Sequence, residues 1–236
     1  MNNTTTDIAG ALSQVRRQIT LFAEKHGRDP DTVSLLAVSK TKPAARIQAA
    51  HAAGQRDFGE NYADEALEKM DELSALNASW HFIGAIQSRK AAGIAKHFDW
   101  VHSVDRFKVA RKLSENRPAN AKPLQICLQV NIDNEASKSG VSTDDVAALA
   151  AQCADLPHLQ LRGLMAIPAI QTELESQRKA FAKLRVLMEE LKSDHPALDT
   201  LSMGMSGDLE AAIAEGATIV RVGTALFGAR ARPVSD

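Results

Sequence analysis

The chain has 236 residues, 44% hydrophobic and 24% charged, enough to bury the core of one large domain. Its 28 basic and 29 acidic residues leave a formal charge of -1, which speaks against bulk nucleic-acid or membrane-surface binding. Two cysteines, Cys127 and Cys153, cannot build a disulfide framework or a four-ligand zinc site, and fit a reduced, intracellular setting.

Residues 1–10 show no basic region followed by an apolar run, so no signal peptide is expected. No stretch of 18 or more apolar residues occurs, so no membrane span is expected. The default is a soluble cytoplasmic protein.

The spacing predicts a first helix from Asp7 to Lys25, with Ile8, Leu12, Val15, Ile19 and Phe22 on one face. Val33 to Val38 is an almost continuous apolar run, as in a strand buried on both sides. Pro43 opens a second helix to about Ala53, capped by Gly54. Strand 57–59 precedes helix 62–76. Strand 80–84 precedes helix 88–97, and strand 100–103 precedes helix 105–116. Strand 124–132 and helix 143–154 follow, then strand 159–167 and a long, charge-rich helix 173–193. Strand 200–203, helix 208–215 and strand 218–222 complete the pattern.

Eight strands separated by helices imply a parallel sheet. In one domain of this length they predict a single (β/α)8 TIM barrel with an extra N-terminal helix, spanning residues 1–236. An open doubly wound sheet is the competing arrangement. No G-x-G-x-x-G follows the first strand, which disfavours it.

Functional groups of such barrels sit just past the strand ends. Lys40 follows the first strand. Partial desolvation there would favour a neutral amine, able to attack a carbonyl and form a Schiff base. A lysine that merely extends into water is the plainer alternative. Ser202-Met203-Gly204-Met205-Ser206 follows the seventh strand and offers two hydroxyls and free amides before a helix, suited to an anion. An ordinary serine N-cap would look the same. Arg221-Val222-Gly223-Thr224 ends the eighth strand, at the customary phosphate position of these barrels. Arg221 alternates with Val220 and Val222, so it points into the barrel or forms a rim ion pair. A Schiff-base lysine facing a phosphate cradle suits pyridoxal 5'-phosphate (PLP) or a phosphorylated sugar.

The run Leu36-Ala37-Val38-Ser39-Lys40-Thr41-Lys42-Pro43 resembles the cofactor-lysine segment of the pyridoxal phosphate homeostasis protein family. Similar matches are Phe58-Gly59-Glu60-Asn61-Tyr62, His81-Phe82-Ile83-Gly84 with Gln87, and Leu161 to Pro168. So are Leu201 to Ser206 with Asp208, and Val222-Gly223-Thr224 before Phe227-Gly228. The likeness runs from about Val33 to Arg230. It implies a barrel like the N-terminal domain of alanine racemase, without that enzyme's second, all-β domain. PLP would be joined to Lys40, with Ser202, Ser206, Gly223 and Thr224 around its phosphate. Arg221 would face the pyridine nitrogen, and Asn61 would lie near the ring substituents. One departure is Ala85, where the family's His-Phe-Ile-Gly-Pro run has proline. It lies outside the expected contacts.

The resemblance implies PLP binding and an influence on vitamin B6, amino-acid and keto-acid balance, without established turnover. PLP-dependent apoenzymes are conceivable acceptors. A racemase needs a base on each face of the cofactor, and Tyr62 is the single tyrosine, expected to start a helix. Arginine at the pyridine nitrogen weakens electron-sink chemistry, which an acidic partner favours. A weak amino-acid racemase and a Schiff-base aldolase are the enzyme alternatives. A monomer is expected, because the missing domain removes a typical dimer interface. The histidines show no metal-ligand spacing, so no metal is expected. His81 and Cys127 are expected to pack in the core. Within the loop 131–140, holding Ser137 and Lys138, Lys138 either contacts cofactor or partner or is simply solvated.

Overall fold

The computed structural model describes residues 7–135 and 138–229. Eight parallel strands form a closed barrel in sequential order. They are β1 (Ser34–Val38), β2 (Asp57–Glu60), β3 (Ser79–Phe82), β4 (Trp100–Val104), β5 (Leu124–Gln129), β6 (Leu159–Met165), β7 (Thr200–Ser202) and β8 (Ile219–Val222). β8 closes on β1, pairing Leu36 with Arg221 and Ala37 with Val222. That closure brings the first and last motifs of the chain side by side.

The helical layer comprises α1 (Ile8–Lys25), α2 (Ala44–Ala52), α3 (Ala63–Glu72), α4 (Ala91–His97) and α5 (Phe107–Asn116). It continues through α6 (Val146–Ala154), α7 (Leu174–Leu191), α8 (Leu209–Ala214) and the single-turn α9 (Thr224–Phe227). Helix α1 buries Ile8, Leu12, Val15 and Ile19 as its periodicity predicts. Phe22 is only half-buried, and Ala23 takes the last core position. Asp7 caps α1 by accepting the Gly10 N–H at 3.0 Å. The helix lies across α2, α8 and α9, over the seam where the barrel closes. Arg28 ties its C-terminal end to the carbonyls of Ile213 and Ala217 at 2.7 and 2.8 Å.

Several elements are shorter than their sequence patterns suggest. β5 stops at Gln129 because the following loop folds back. The Asn131 N–H donates to Val141 O and the Val141 N–H to Gln129 O. β6 stops at Met165, ahead of Pro168, which cannot donate to a ladder. α3 ends at Glu72 rather than Leu76, and α4 begins at Ala91 rather than Ser88. α6 begins at Val146 rather than Thr143, after a turn in which the Asp145 N–H donates to Ser142 Oγ at 3.1 Å. Helix α9 and a short 3-10 turn at Pro30–Thr32 carry too little periodicity to be read from sequence.

Candidate functional site

Lys40 lies in a turn directly after β1 and is half-buried. The turn is held from outside the barrel. The Ser39 N–H donates to Gly59 O at 2.9 Å, and Ser39 Oγ donates to Glu60 Oε1 at 2.7 Å. Lys69 of α3 reaches into the same cluster, donating to Ser39 O at 2.9 Å and Glu60 Oε1 at 2.8 Å. Its third partner is Glu65 Oε1 at 2.5 Å, which also accepts the Thr41 N–H at 2.6 Å. Thr41 sits at φ 63°, an unfavourable value for a β-branched residue, so these bonds hold a strained turn. Glu60 is fully buried, with Oε2 unpartnered. Burial pushes its carboxyl above the ordinary carboxylate range, against the pull of Lys69 and Ser39.

Asn61 follows β2, which pairs Gly59 with Val38 of β1. Its backbone passes so close to Gly84 that a Cβ there would lie 2.1 Å from Asn61 O. Only glycine fits. Asn61 Oδ1 is buried and unpartnered. Asn61 and Tyr62 line a cavity of about 330 Å³ with Phe82, Gly84, Gln87 and Lys90.

On the other side of Lys40, Gly223 packs on Val38, its Cβ position 3.2 Å from Val38 O. Thr224 follows as the exposed first residue of α9, where helix-start amides lack intrahelical partners. The β7 loop runs alongside. Its Gly204 has φ 93°, and a Cβ would fall 2.4 Å from Ala212 Cβ, so no other residue is accommodated without strain. Asp208 shapes the loop by accepting the Met205 N–H at 2.5 Å. Ser206 is exposed and lines a cavity of about 350 Å³ with Val222, Ala225 and Gln14, Val15 and Gln18 of α1.

Arg221 is buried and points into the barrel. Nη1 donates to Ser202 O at 2.5 Å and Ser202 Oγ at 3.0 Å, and Nη2 donates to Ala166 O at 3.0 Å. Burial lowers it to about 10, with Asp208 and Cys127 opposing, so it is charged at neutral pH. Ser202 is also fully buried. Its hydroxyl meets His102 Nδ1 at 2.7 Å. Because β4 and β7 are not neighbours, that bond crosses the lumen.

The strand order thus sets the Asn61, Lys40, Gly223–Thr224 and Ser206 segments around one mouth of the barrel, with Arg221 beneath. Ser202 alone among the expected phosphate group is turned inward, its hydroxyl engaged by His102 and Arg221. Sequence reasoning missed His102, and treated His81 only as packing. His81 does stack on Trp100, with ring centroids 5.5 Å apart, yet it also bonds His102 at 2.9 Å. Their shared signal was parity. Each lies on the inward register of its strand, His81 between the apolar Trp80 and Phe82, whereas His102 is flanked by Val101 and the polar Ser103 and was masked by it. Cys127 is a core residue, its thiol pushed up to about 12 by burial. Lys138 is held by Asp133 at 3.0 Å and Glu135 at 3.1 Å, while Ser137 lies outside the described residues. No metal-binding cluster occurs among the described residues, and none of their helices is long and apolar enough to cross a membrane.

Residues 11–231 match the family "Alanine racemase, N-terminal domain". The chain is 60% identical to a pyridoxal phosphate homeostasis protein of Pseudomonas aeruginosa, over 94% of this chain and 96% of that one. It is 50% identical to the protein of that name in Escherichia coli, over 95% and 97%. PipY of Synechococcus elongatus PCC7942, solved with PLP bound, superposes with a TM-score of 0.82 at 40% identity, covering 94% of this chain and all of that one. Alanine racemase of Corynebacterium glutamicum shares the fold at 15% identity and a TM-score of 0.71. There the match covers 97% of this chain and 63% of the enzyme. The chain therefore belongs to the pyridoxal phosphate homeostasis proteins, within the alanine racemase N-terminal domain family.

Proposed function

We propose that this protein binds PLP at the C-terminal mouth of its barrel and serves intracellular PLP homeostasis as a carrier or buffer. The observation that carries the reading is the convergence of the Lys40, Asn61, Ser206 and Gly223–Thr224 segments over a buried arginine. The residues fit the group chemically. Lys40 supplies the amine for its aldehyde. Ser206, Thr224 and the amides after Gly223 suit its phosphate, and the Arg221 fork suits its ring nitrogen. Asn61 offers an unpartnered buried oxygen beside the Lys40 turn. The homeostasis names of the relatives and the PLP-bound PipY structure support the same assignment.

When bound, PLP supplies an aldehyde that condenses with primary amines and a ring that withdraws electrons. The chain's own part is to hold Lys40 in a strained, cross-braced turn and to present a guanidinium from below. An arginine donates a hydrogen bond to a ring nitrogen but does not give up its proton. That favours retention over carbanion chemistry. Ser202 acts through Arg221 rather than on the phosphate directly. Delivery to apoenzymes, a cytoplasmic location and a monomeric state belong to the same reading.

The test is an absorbance spectrum of the purified protein, then borohydride reduction and peptide mapping. A visible PLP band and an adduct on Lys40 are expected. Absence of PLP binding, or an adduct mainly on Lys42 or Lys138, overturns the assignment. A weak racemase is the second reading, favoured by the shared fold and by Tyr62 lining the cavity beside Asn61. Incubation with L-alanine in deuterated water separates the two. Exchange with racemisation at roughly 1–10³ per second marks an enzyme. Very slow exchange, lost in Lys40→Ala, marks a carrier.

A further inference from the structure

The lumen of the barrel holds a continuous polar chain that the PLP site does not account for. Arg221 Nη1 donates to Ser202 Oγ at 3.0 Å, and Ser202 Oγ lies 2.7 Å from His102 Nδ1. His102 Nε2 lies 2.9 Å from His81 Nδ1. His81 Nε2 then meets Ser79 Oγ at 3.1 Å and Asp57 Oδ1 at 3.3 Å. Asp57 begins β2 at the opposite, N-terminal mouth, and its side chain is 40% exposed. Five residues from strands β2, β3, β4, β7 and β8 thus span the barrel from solvent to the floor of the site.

Hydrogen-bond chemistry gives the chain one direction. Arginine only donates. Ser202 Oγ accepts from it, and of the two neutral ring tautomers only the one with a bare Nδ1 gives the Ser202 proton an acceptor, at His102. His102 then carries its proton on Nε2 and donates to His81 Nδ1. His81 donates from Nε2 toward the Asp57 carboxylate. Every link points away from Arg221, and each presents its electron-rich end toward the guanidinium. This alignment matters because no described carboxylate lies within ion-pair distance of Arg221. Burial, with the neighbouring His81 and Arg221, holds His102 well below the ordinary histidine range, in keeping with a neutral ring.

We propose that His102 and Ser202 are positioning residues for Arg221, and that the aligned chain ending on Asp57 locks the guanidinium in the orientation that meets the cofactor ring. The proposal rests on Arg221 lying beneath PLP. The Ser202 hydroxyl holds one arm of the fork and the Ala166 carbonyl the other. The remaining N–H groups are left for a ligand.

The experiment has two arms on the full-length protein. In the first, ¹⁵N NMR of the histidine rings without added PLP reads the tautomers. His102 is expected to carry its proton on Nε2, and His81 to accept that hydrogen bond at Nδ1. A proton on His102 Nδ1 reverses the chain and overturns the proposal. In the second, PLP affinity and the visible absorbance maximum are compared in Ser202→Ala, His102→Asn and His102→Gln. Asn places an amide near the Nδ1 position and can still meet Ser202, whereas Gln reaches toward His81 instead. Ser202→Ala and His102→Gln are expected to weaken PLP about tenfold and shift the band. His102→Asn is expected to recover most of both. The Ser202→Ala/His102→Gln double variant should be no weaker than the poorer single one.

Asn and Gln variants that behave alike, or an additive double variant, would sink the relay while leaving PLP binding intact. If the wild type itself binds no PLP, the functional reading fails, and the tautomer arm still decides the chain's direction. All variants retain a polar or small side chain in place. Any that does not fold is replaced by comparing the two surviving ones against the wild type, with the same expected ranking.

Discussion

The two sides of the site are braced in opposite ways. On the β1–β2 side, Lys40 is positioned by charges placed outside the barrel, where Lys69 joins Glu60 and Glu65 behind the turn. On the β7–β8 side, Arg221 is positioned by neutral groups inside the lumen, namely Ser202, His102 and two backbone carbonyls. The difference follows from the two bases. In the proposed function Lys40 condenses with an aldehyde as a neutral amine. Keeping Glu60 and Glu65 on the helix side satisfies Lys69 and Ser39. Arginine keeps its proton regardless, so carbonyl and hydroxyl acceptors suffice to orient it.

The largest effect expected on this contrast is from Lys40→Ala, which should abolish the borohydride-fixed adduct. Residual PLP binding through the β7–β8 side should survive, measurable by equilibrium dialysis. Next is Lys69→Met. It strands the buried Glu60 carboxylate, and removing one partner of a buried pair costs about 3–5 kcal/mol. Urea unfolding should show the loss, and Lys69→Met/Glu60→Gln should recover part of it. A Lys69→Met protein of unchanged stability would mean that the charged brace contributes nothing.

Ser206→Ala and Thr224→Ala should act on the other side without touching stability much. Each is expected to cost about 1.5–3 kcal/mol of PLP affinity through a lost bond to a charged group. Pyridoxal, which lacks the phosphate, should be nearly unaffected. Equal weakening of both ligands would remove these residues from the phosphate site.

The smallest effect concerns pH. His102 takes up a proton near its ordinary 6.5 when unfolded but resists it when buried. The unfolded chain therefore binds more protons below that pH, and stability falls as pH drops through and below about 6.5. One such group contributes at most about 1.4 kcal/mol per pH unit. Thermal melts from pH 7.5 to 5 should show a shallower decline in His102→Asn than in the wild type. Identical slopes would show that His102 ionisation does not drive the decline.

Much of this architecture was legible beforehand, because its signals are local. Alternating apolar runs and amphipathic stretches announce a βα repeat, and eight repeats announce a closed barrel. Lys40, Asn61, Ser206, Gly223 and Thr224 could be placed at one mouth beforehand because each follows a strand end, and their contacts with PLP belong to the proposed function. Helix and strand ends were less legible. Pro168 and the loop returning to Val141 shorten strands through contacts that periodicity does not encode.

The sequence by itself determined that His81, Ser202 and Arg221 lie on the opposite strand face from the apolar residues beside them, since side-chain alternation in a strand is a property of the backbone. Only the tertiary structure decided which of them meet. Residues 100 positions apart, His102 and Ser202, come within hydrogen-bond distance because closing the sheet carries opposite strands across one narrow lumen. The same closure withdrew Ser202 from the rim. A buried hydroxyl must be hydrogen-bonded, and the partners available to it inside the barrel were an imidazole and a guanidinium.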